Sequence, residues 1–289
     1  VLAHLETLRV LQDPQPLNGH AALALEAADR AAAEVPGYPR ALRYAARLLA
    51  DQGRQEEAFP RLAEALRRRP ESITLLLALD YCARTAGLLD VAGAARDRMD
   101  RLWSGAPVPP PVAFTALYQG HADVFAASLQ EDPGLPPDGF LAFYQGYAYL
   151  VEGRREAAAA RFQAALAAPS TEAHVRALAQ VFLLQLKGDS EGAAKALDAL
   201  DRSRVGLQVP DGEFTMTMAE AAGFLGEEGR AMDLAQRAFS QGFTCSDWYR
   251  RSPLLARLQQ LPRWRALLQH VDARRARLAA AHRPEAFGL

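Results

Sequence analysis

The 289-residue chain predicts an all-α protein made of stacked helix pairs, and three observations predict it. Glycine recurs at Gly19, Gly53, Gly87, Gly120, Gly153, Gly188 and Gly226, at intervals of 33 to 38 residues, each long enough for two helices and two turns. The rungs of this ladder share chemistry: Gly-Arg-Gln-Glu-Glu-Ala starts at Gly53, Gly-Arg-Arg-Glu-Ala-Ala at Gly153 and Gly-Asp-Ser-Glu-Gly-Ala at Gly188. Finally, 50% of the residues are hydrophobic, with abundant Ala and Leu and few β-branched side chains, a composition that favours helix over strand.

Each element follows in order. A short first helix is expected from Leu2 to Gln12, because Pro14 and Pro16 interrupt the approach to Gly19. In residues 39 to 72, Gly53 suits a left-handed helix end, where only glycine escapes the Cβ penalty, and Glu56 and Glu57 suit the start of the next helix. Ala58, Leu62 and Ala65 then let the two helices approach closely, and Pro70 stops the second. Residues 73 to 106 repeat the plan around a helix Leu75 to Ala86, Gly87 and Ala92, with Arg96 and Met99 at the later packing positions. Gly105 to Pro111 cannot be helical throughout and forms the one plausible joint. The unit around Gly120 predicts a shortened pair, since Phe125 stands where alanine is expected and Pro133, Pro136 and Pro137 arrive early. Residues 139 to 172, 174 to 207 and 212 to 242 resume the plan. The organisation expected is therefore residues 1–104, a joint at 105–111, residues 112–242, and a helical cap with a basic tail at 243–289.

These residues resemble the tetratricopeptide repeat family, whose 34-residue unit carries a small residue, Gly, Ala, an aromatic or Leu, Ala and Pro at fixed positions. Residues 39 to 72 and 139 to 172 match best; in the latter, Gly146, Tyr149, Gly153, Ala158, Phe162 and Ala165 fall on consensus positions. The resemblance implies a right-handed α-solenoid of about seven helix pairs with a C-terminal capping segment. It also implies a protein–protein interaction scaffold whose concave face, lined by the first helix of each unit, takes a peptide or partner protein. On that rule the groove residues are Arg40, Arg43 and Arg47, then Leu77, Tyr81 and Arg84. Phe114, Tyr118, Phe140, Phe143, Tyr147, Leu150 and Phe182 follow, and Met216, Glu220 and Phe224 close the series. A basic mouth leading to an aromatic trough suits a peptide with an acidic end and apolar anchors. The packing alternative is that these aromatics pack against neighbouring repeats. The clamp of chaperone-binding members, built with two asparagines and lysines, is absent, because Asn18 is the only Asn; Arg43, Arg47 and Arg84 are a conceivable substitute.

The segment from Gly242 to Leu268 is similar to the end of repeat arms in bacterial regulators that carry a winged-helix, cyclase or serine/threonine kinase domain. Its Trp248, Leu254, Leu255, Leu258, Trp264, Leu267 and Leu268 are expected to cover the last exposed helix face. Val1 in place of an initiator Met predicts a processed chain or a piece of a longer polypeptide, so a regulatory or sensory arm with its output domain upstream is the alternative function.

No stretch of 18 apolar residues predicts a membrane span. Cys82 and Cys245 are too few for a disulfide framework or zinc site, which fits a reducing, cytoplasmic compartment. Cys82 reads as a packing residue, and Cys245 lies in a turn with no activating His or second Cys nearby. The six histidines form no metal-binding spacing, and no phosphate-cradling glycine motif exists, so no cofactor, metal or enzymatic activity is expected. Asp211, Glu213, Glu220, Glu227 and Glu228 read as charges on outer helix faces. From Asp247 onward nine Arg oppose Asp247, Asp272 and Glu285, yet the tail lacks interleaved aromatics and the chain's net charge is −1, which argues against nucleic acid.

Overall fold

A computed structural model describes residues 20–35, 38–102, 114–129, 138–207 and 209–289. The expected helix from Leu2 to Gln12 and the joint at 105–111 lie outside these residues. Among the described residues the chain is all-α, without strands, and its helices pack in adjacent pairs. Helix α1 (His20–Glu34) packs on α2 (Pro39–Asp51). Six pairs follow: α2 with α3 (Gln55–Arg68), α4 (Ile73–Thr85) with α5 (Leu89–Leu102), α6 (Phe114–Gln119) with α7 (Ala122–Ala127), α8 (Gly139–Val151) with α9 (Arg155–Ala167), α10 (Ala173–Leu186) with α11 (Ser190–Ser203), and α12 (Gly212–Leu225) with α13 (Glu228–Ser240). The first helix of one pair also touches the first of the next, α2 with α4, α4 with α6, α8 with α10 and α10 with α12.

The described glycines of the ladder, from Gly53 to Gly226, all have positive φ, between 74° and 94°. Each ends or follows the first helix of its pair, so the sequence interval is the interval between left-handed turns. Packing accounts for the small residues. A Cβ added at Gly146 would stand 2.9 Å from the Phe162 ring, so glycine lets α8 and α9 meet. The unit around Gly120 is short as expected, with two six-residue helices on which Phe125 is fully buried.

The C-terminal segment comprises α14 (Ser246–Arg251), a 3₁₀ turn (Pro253–Gln260), α15 (Pro262–Ala281) and a second 3₁₀ turn (Pro284–Phe287). Trp248, Leu255, Leu258, Trp264 and Leu267 are buried against the last pairs, whereas Leu254 and Leu268 are only partly covered. The segment then reaches beyond the last pair. Leu278 and Phe287 join the apolar cluster of α2 to α5, where the Phe287 and Phe59 rings lie 5.9 Å apart.

Polar contacts make the same crossing. Arg274 donates to the Gly53 carbonyl, Arg275 Nε to that of Gly87 at 2.8 Å, and Arg251 to that of Gln119, beside Gly120. These are the C-terminal ends of α2, α4 and α6, where carbonyls lack helical partners and the helix dipole is negative. Thr244 N–H adds a bond to Thr85 O at 2.7 Å, and Gln55 Nε2 one to Gly242 O at 2.7 Å. The approach is close enough to require glycine twice. A Cβ on Gly87 would meet Thr244 O at 2.7 Å, and one on Gly242, at φ 99°, would meet Gly53 Cα at 2.6 Å. Three of the nine arginines of the basic tail thus cap the early turns. No described helix is long and apolar enough to cross a membrane.

Candidate functional site

Because the C-terminal segment fastens the last pairs to the first, the inner ends of α2, α4, α6, α8, α10 and α12 face one another. Between them lies a cavity of about 410 Å³ whose wall includes Arg43, Arg47, Leu77, Tyr81, Arg84, Phe114, Phe140 and Tyr144. Asp80, Glu172, His174, Asp211 and Glu213 form its polar side, with Phe214 beside them. The volume falls in the range of small-ligand pockets.

Seven of the expected groove residues therefore meet here: Arg43, Arg47, Leu77, Tyr81, Arg84, Phe114 and Phe140. Arg43 and Phe140 are exposed, Arg47 and Tyr81 are partly covered, and Arg84 and Phe114 are buried. Arg40 is exposed on α2 but does not line the cavity.

The expectation of an open aromatic trough is corrected for the rest. Tyr118, Phe143, Tyr147 and Phe182 are all at most 3% exposed, as packing between repeats had offered as the alternative. Phe143 contacts Phe162 and Phe182 at 5.7 and 6.4 Å between ring centres, and Phe162 stacks on Phe182 at 5.2 Å. Leu150, Met216 and Glu220 are buried too, and Phe224 packs against Phe182. Cross-repeat burial of rings gains more than an open groove would, since a large aromatic surface leaves water.

Charge is arranged in two layers. In the deeper one Arg84 donates through Nε and Nη2 to Glu213 at 2.9 and 2.8 Å, and its Nη1 lies 3.5 Å from Asp80. Tyr118 O–H also donates to Glu213, at 2.8 Å, and Thr115 Oγ1 to Asp80 at 2.8 Å. The guanidinium lies over the Tyr81 and Phe114 rings at 4.7 and 5.2 Å. Arg84 is thereby saturated by its own chain, which removes it from the substitute carboxylate clamp.

Nearer the mouth, Arg47 lies over the Tyr81 ring at 5.1 Å, with Nε 3.5 Å from Asp51 Oδ2. That Nε is buried and has no hydrogen-bond partner. Tyr81 O–H donates to the other oxygen of Asp51. Burial pushes the Asp51 carboxyl up to about 7, and the negative charge of Asp211 adds to the rise, while Arg47 and the Tyr81 hydroxyl oppose it. Asp211 caps α12 by accepting from Phe214 N–H at 3.1 Å and holds φ at 52°, the one positive-φ non-glycine residue among those described.

One further expectation is corrected. Glu213 and Glu220 are not outer-face charges: Glu213 pairs with Arg84, and fully buried Glu220 accepts from Tyr147 O–H at 2.7 Å and Ser252 O–H at 2.5 Å. Burial pushes Glu220 up to about 7 despite these bonds. Cys245, placed in a turn by the sequence, is fully buried, and burial pushes its thiol up to about 12. Asp51, Tyr144, His174 and Asp211 were not singled out as cavity residues. The one local signal was charge spacing, since Arg47–Asp51 and Asp80–Arg84 are opposite charges four residues apart on a helix.

Comparison with models of known protein families gives no match, and no curated protein is significantly similar to the chain.

Proposed function

We propose that the chain is a protein-interaction module of tetratricopeptide-repeat type, its helix pairs wound as a right-handed solenoid, which docks an acidic segment of a partner at the cavity mouth. The observation that carries this reading is the pair of guanidinium groups one helical turn apart on α2. Arg43 is exposed and, among the described residues, has neither an ion pair nor a side-chain hydrogen bond, while Arg47 keeps a buried Nε unbonded. Arginine forks bind carboxylates with paired, charge-assisted bonds. Tyr81, Tyr144 and exposed Phe140 beside them supply rigid apolar area for a neighbouring ligand side chain. The burial of Tyr118, Phe143, Tyr147 and Phe182 narrows the earlier expectation: a few ligand residues enter the cavity, and an extended peptide does not lie along the whole concave face.

The experiment is selection of peptides from a randomised hexapeptide library on the immobilised chain, followed by titration of the selected peptides. Enrichment of Asp, Glu or a free terminal carboxylate is expected, with loss of binding in Arg47→Gln. Selection without acidic enrichment, or unchanged affinity in that variant, would overturn the reading.

A further inference from the structure

Arg47 already has a carboxylate beside it. Its Nε lies 3.5 Å from Asp51 Oδ2 yet makes no hydrogen bond, whereas Arg84 holds Glu213 through two. Arg47 is thus held by its own chain through charge alone and is only partly covered, with Asp51 buried behind it. The other Asp51 oxygen accepts from Tyr81 O–H on α4. From the start of α12 the charges of Asp211 and Glu213 act on Asp51, and Arg204 at the end of α11 feels both Asp51 and Asp211. Arg47 feels Asp211 as well, and the Cys82 thiol on α4, pushed up by burial, stays neutral. On α1 and α3, which also pack on α2, Glu26–Arg30, Asp29–Arg61 and Arg54–Glu57 are ion-paired at the surface. A ligand carboxylate at Arg43 and Arg47 therefore enters a guanidinium that Asp51 already shares, and it brings another negative charge towards Asp51 and Asp211. A buried carboxylate deprived of its cation is costly to keep ionised, and protonation removes that cost.

We propose that docking is an exchange of carboxylates on Arg47: the ligand's replaces that of Asp51, and Asp51 takes up one proton from solvent as the ligand binds. The assignment rests on the peptide-docking reading and adds a proton to it. Burial already pushes the free Asp51 carboxyl up to about 7, with the Asp211 charge adding to the rise, so uptake occurs near neutral pH. Protonated Asp51 keeps one oxygen as acceptor for Tyr81 O–H. The bound ligand raises the proton affinity of Asp51 further, by adding a negative charge and engaging Arg47. Below about pH 7 Asp51 is protonated before the ligand arrives, and affinity is highest there and level. As pH rises past that value uptake must accompany docking, and affinity falls until Asp51 stays ionised in the complex.

The test uses the full chain and acidic hexapeptides selected from the same library, acetylated at the N-terminus and lacking His, so that the ligand does not titrate between about pH 6 and about pH 8. Affinity for the parent chain should fall about fivefold across that range, the low end of couplings between linked sites. Calorimetric titration near neutral pH in two buffers of different ionisation enthalpy should show proton uptake on binding. In Asp51→Asn, which keeps an acceptor for Tyr81 O–H, affinity should not vary with pH and should match that of the parent at the acid end. His174 on the cavity wall, whose proton affinity burial lowers, is present in both chains. A pH dependence that persists in Asp51→Asn therefore belongs to another group and overturns the exchange. Circular dichroism checks the fold of the variant; if it does not fold, calorimetry on the parent decides alone. Binding of acidic peptides without pH dependence or without proton uptake overturns the exchange and leaves the docking reading standing. Absence of any acidic enrichment overturns both.

Discussion

Asp51 and Glu220 are both buried carboxylates held near a pKa of 7, yet they occupy opposite situations in one interior. Glu220 lies in the sealed part, where Tyr147 and Ser252 hydroxyls from two other elements take both of its oxygens. Asp51 lies beside the cavity, with a phenol, a guanidinium whose Nε lacks a hydrogen bond, and a second carboxylate around it. The same proton affinity thus arises from burial alone in one place and from burial plus a neighbouring carboxylate in the other. The lesson is that a perturbed group marks a site only where the surroundings are left open to a ligand; by itself the shift does not separate structure from function.

The comparison can be broken most forcefully from the sealed side. Trp264 is fully buried, packs on Tyr249 at 5.7 Å between ring centres and donates through Nε1 to Gln259 at 3.2 Å. Trp264→Ala should cost about 3 to 5 kcal/mol and lower the thermal midpoint markedly. An unchanged midpoint would show that the C-terminal segment is not part of the closed core, and with it the sealed environment of Glu220 would fall.

Next in size is the pH dependence. Glu220 titrates near 4.5 when unfolded and near 7 when folded, so the folded chain holds the extra proton between those values. Its contribution is therefore full below about pH 4.5 and is lost as pH rises towards 7, a loss of about 3 kcal/mol at roughly 1.4 kcal/mol per unit. Glu220→Gln should flatten the fall in denaturant midpoint across that window while leaving peptide affinity unchanged, because its partners are sealed. An equally steep fall in the variant would place the titrating group elsewhere.

Asp51→Asn sharpens the contrast. It keeps an acceptor for Tyr81 O–H but removes a charge next to Arg47 and Asp211. It too should flatten the pH dependence, and unlike Glu220→Gln it should also change peptide affinity above pH 7, by a few-fold. That magnitude is the partly screened interaction of one neighbouring charge. If the two variants alter binding equally, the distinction between the sealed and the open carboxylate does not hold.

What the sequence revealed follows the same division between local and non-local causes. The glycine ladder was legible because a left-handed turn is dictated by one residue and its neighbours, and each described rung from Gly53 to Gly226 has the conformation expected. The short pair around Gly120 was legible for a similar reason, since Phe125 replaces a small packing residue. Arg251, Arg274 and Arg275 read only as a basic tail, because capping a carbonyl some 130 to 220 residues away leaves no periodic mark. Glu213 and Glu220 were misread as outer charges because their partners Arg84, Tyr147 and Ser252 come from other units. The groove rule could not tell that the last pairs are brought against the first, which buries most of the residues it named.

The smallest effect expected on the fold is also the cleanest test of the open side. Arg43 is exposed and makes no ion pair among the described residues, so Arg43→Gln should change stability by no more than about 0.5 kcal/mol, as for other surface substitutions. Its effect should appear in binding. Affinity for a selected acidic peptide should fall a few-fold at low salt, and the variant's affinity should depend less on salt than the parent's. Exposed attraction of this kind is screened over roughly 8 Å at physiological ionic strength, whereas ring contacts with Tyr81 and Phe140 are not. Titrations at two salt concentrations separate the two contributions. Identical curves for parent and variant at both would remove Arg43 from the site and confine ligand recognition to Arg47 and the cavity behind it.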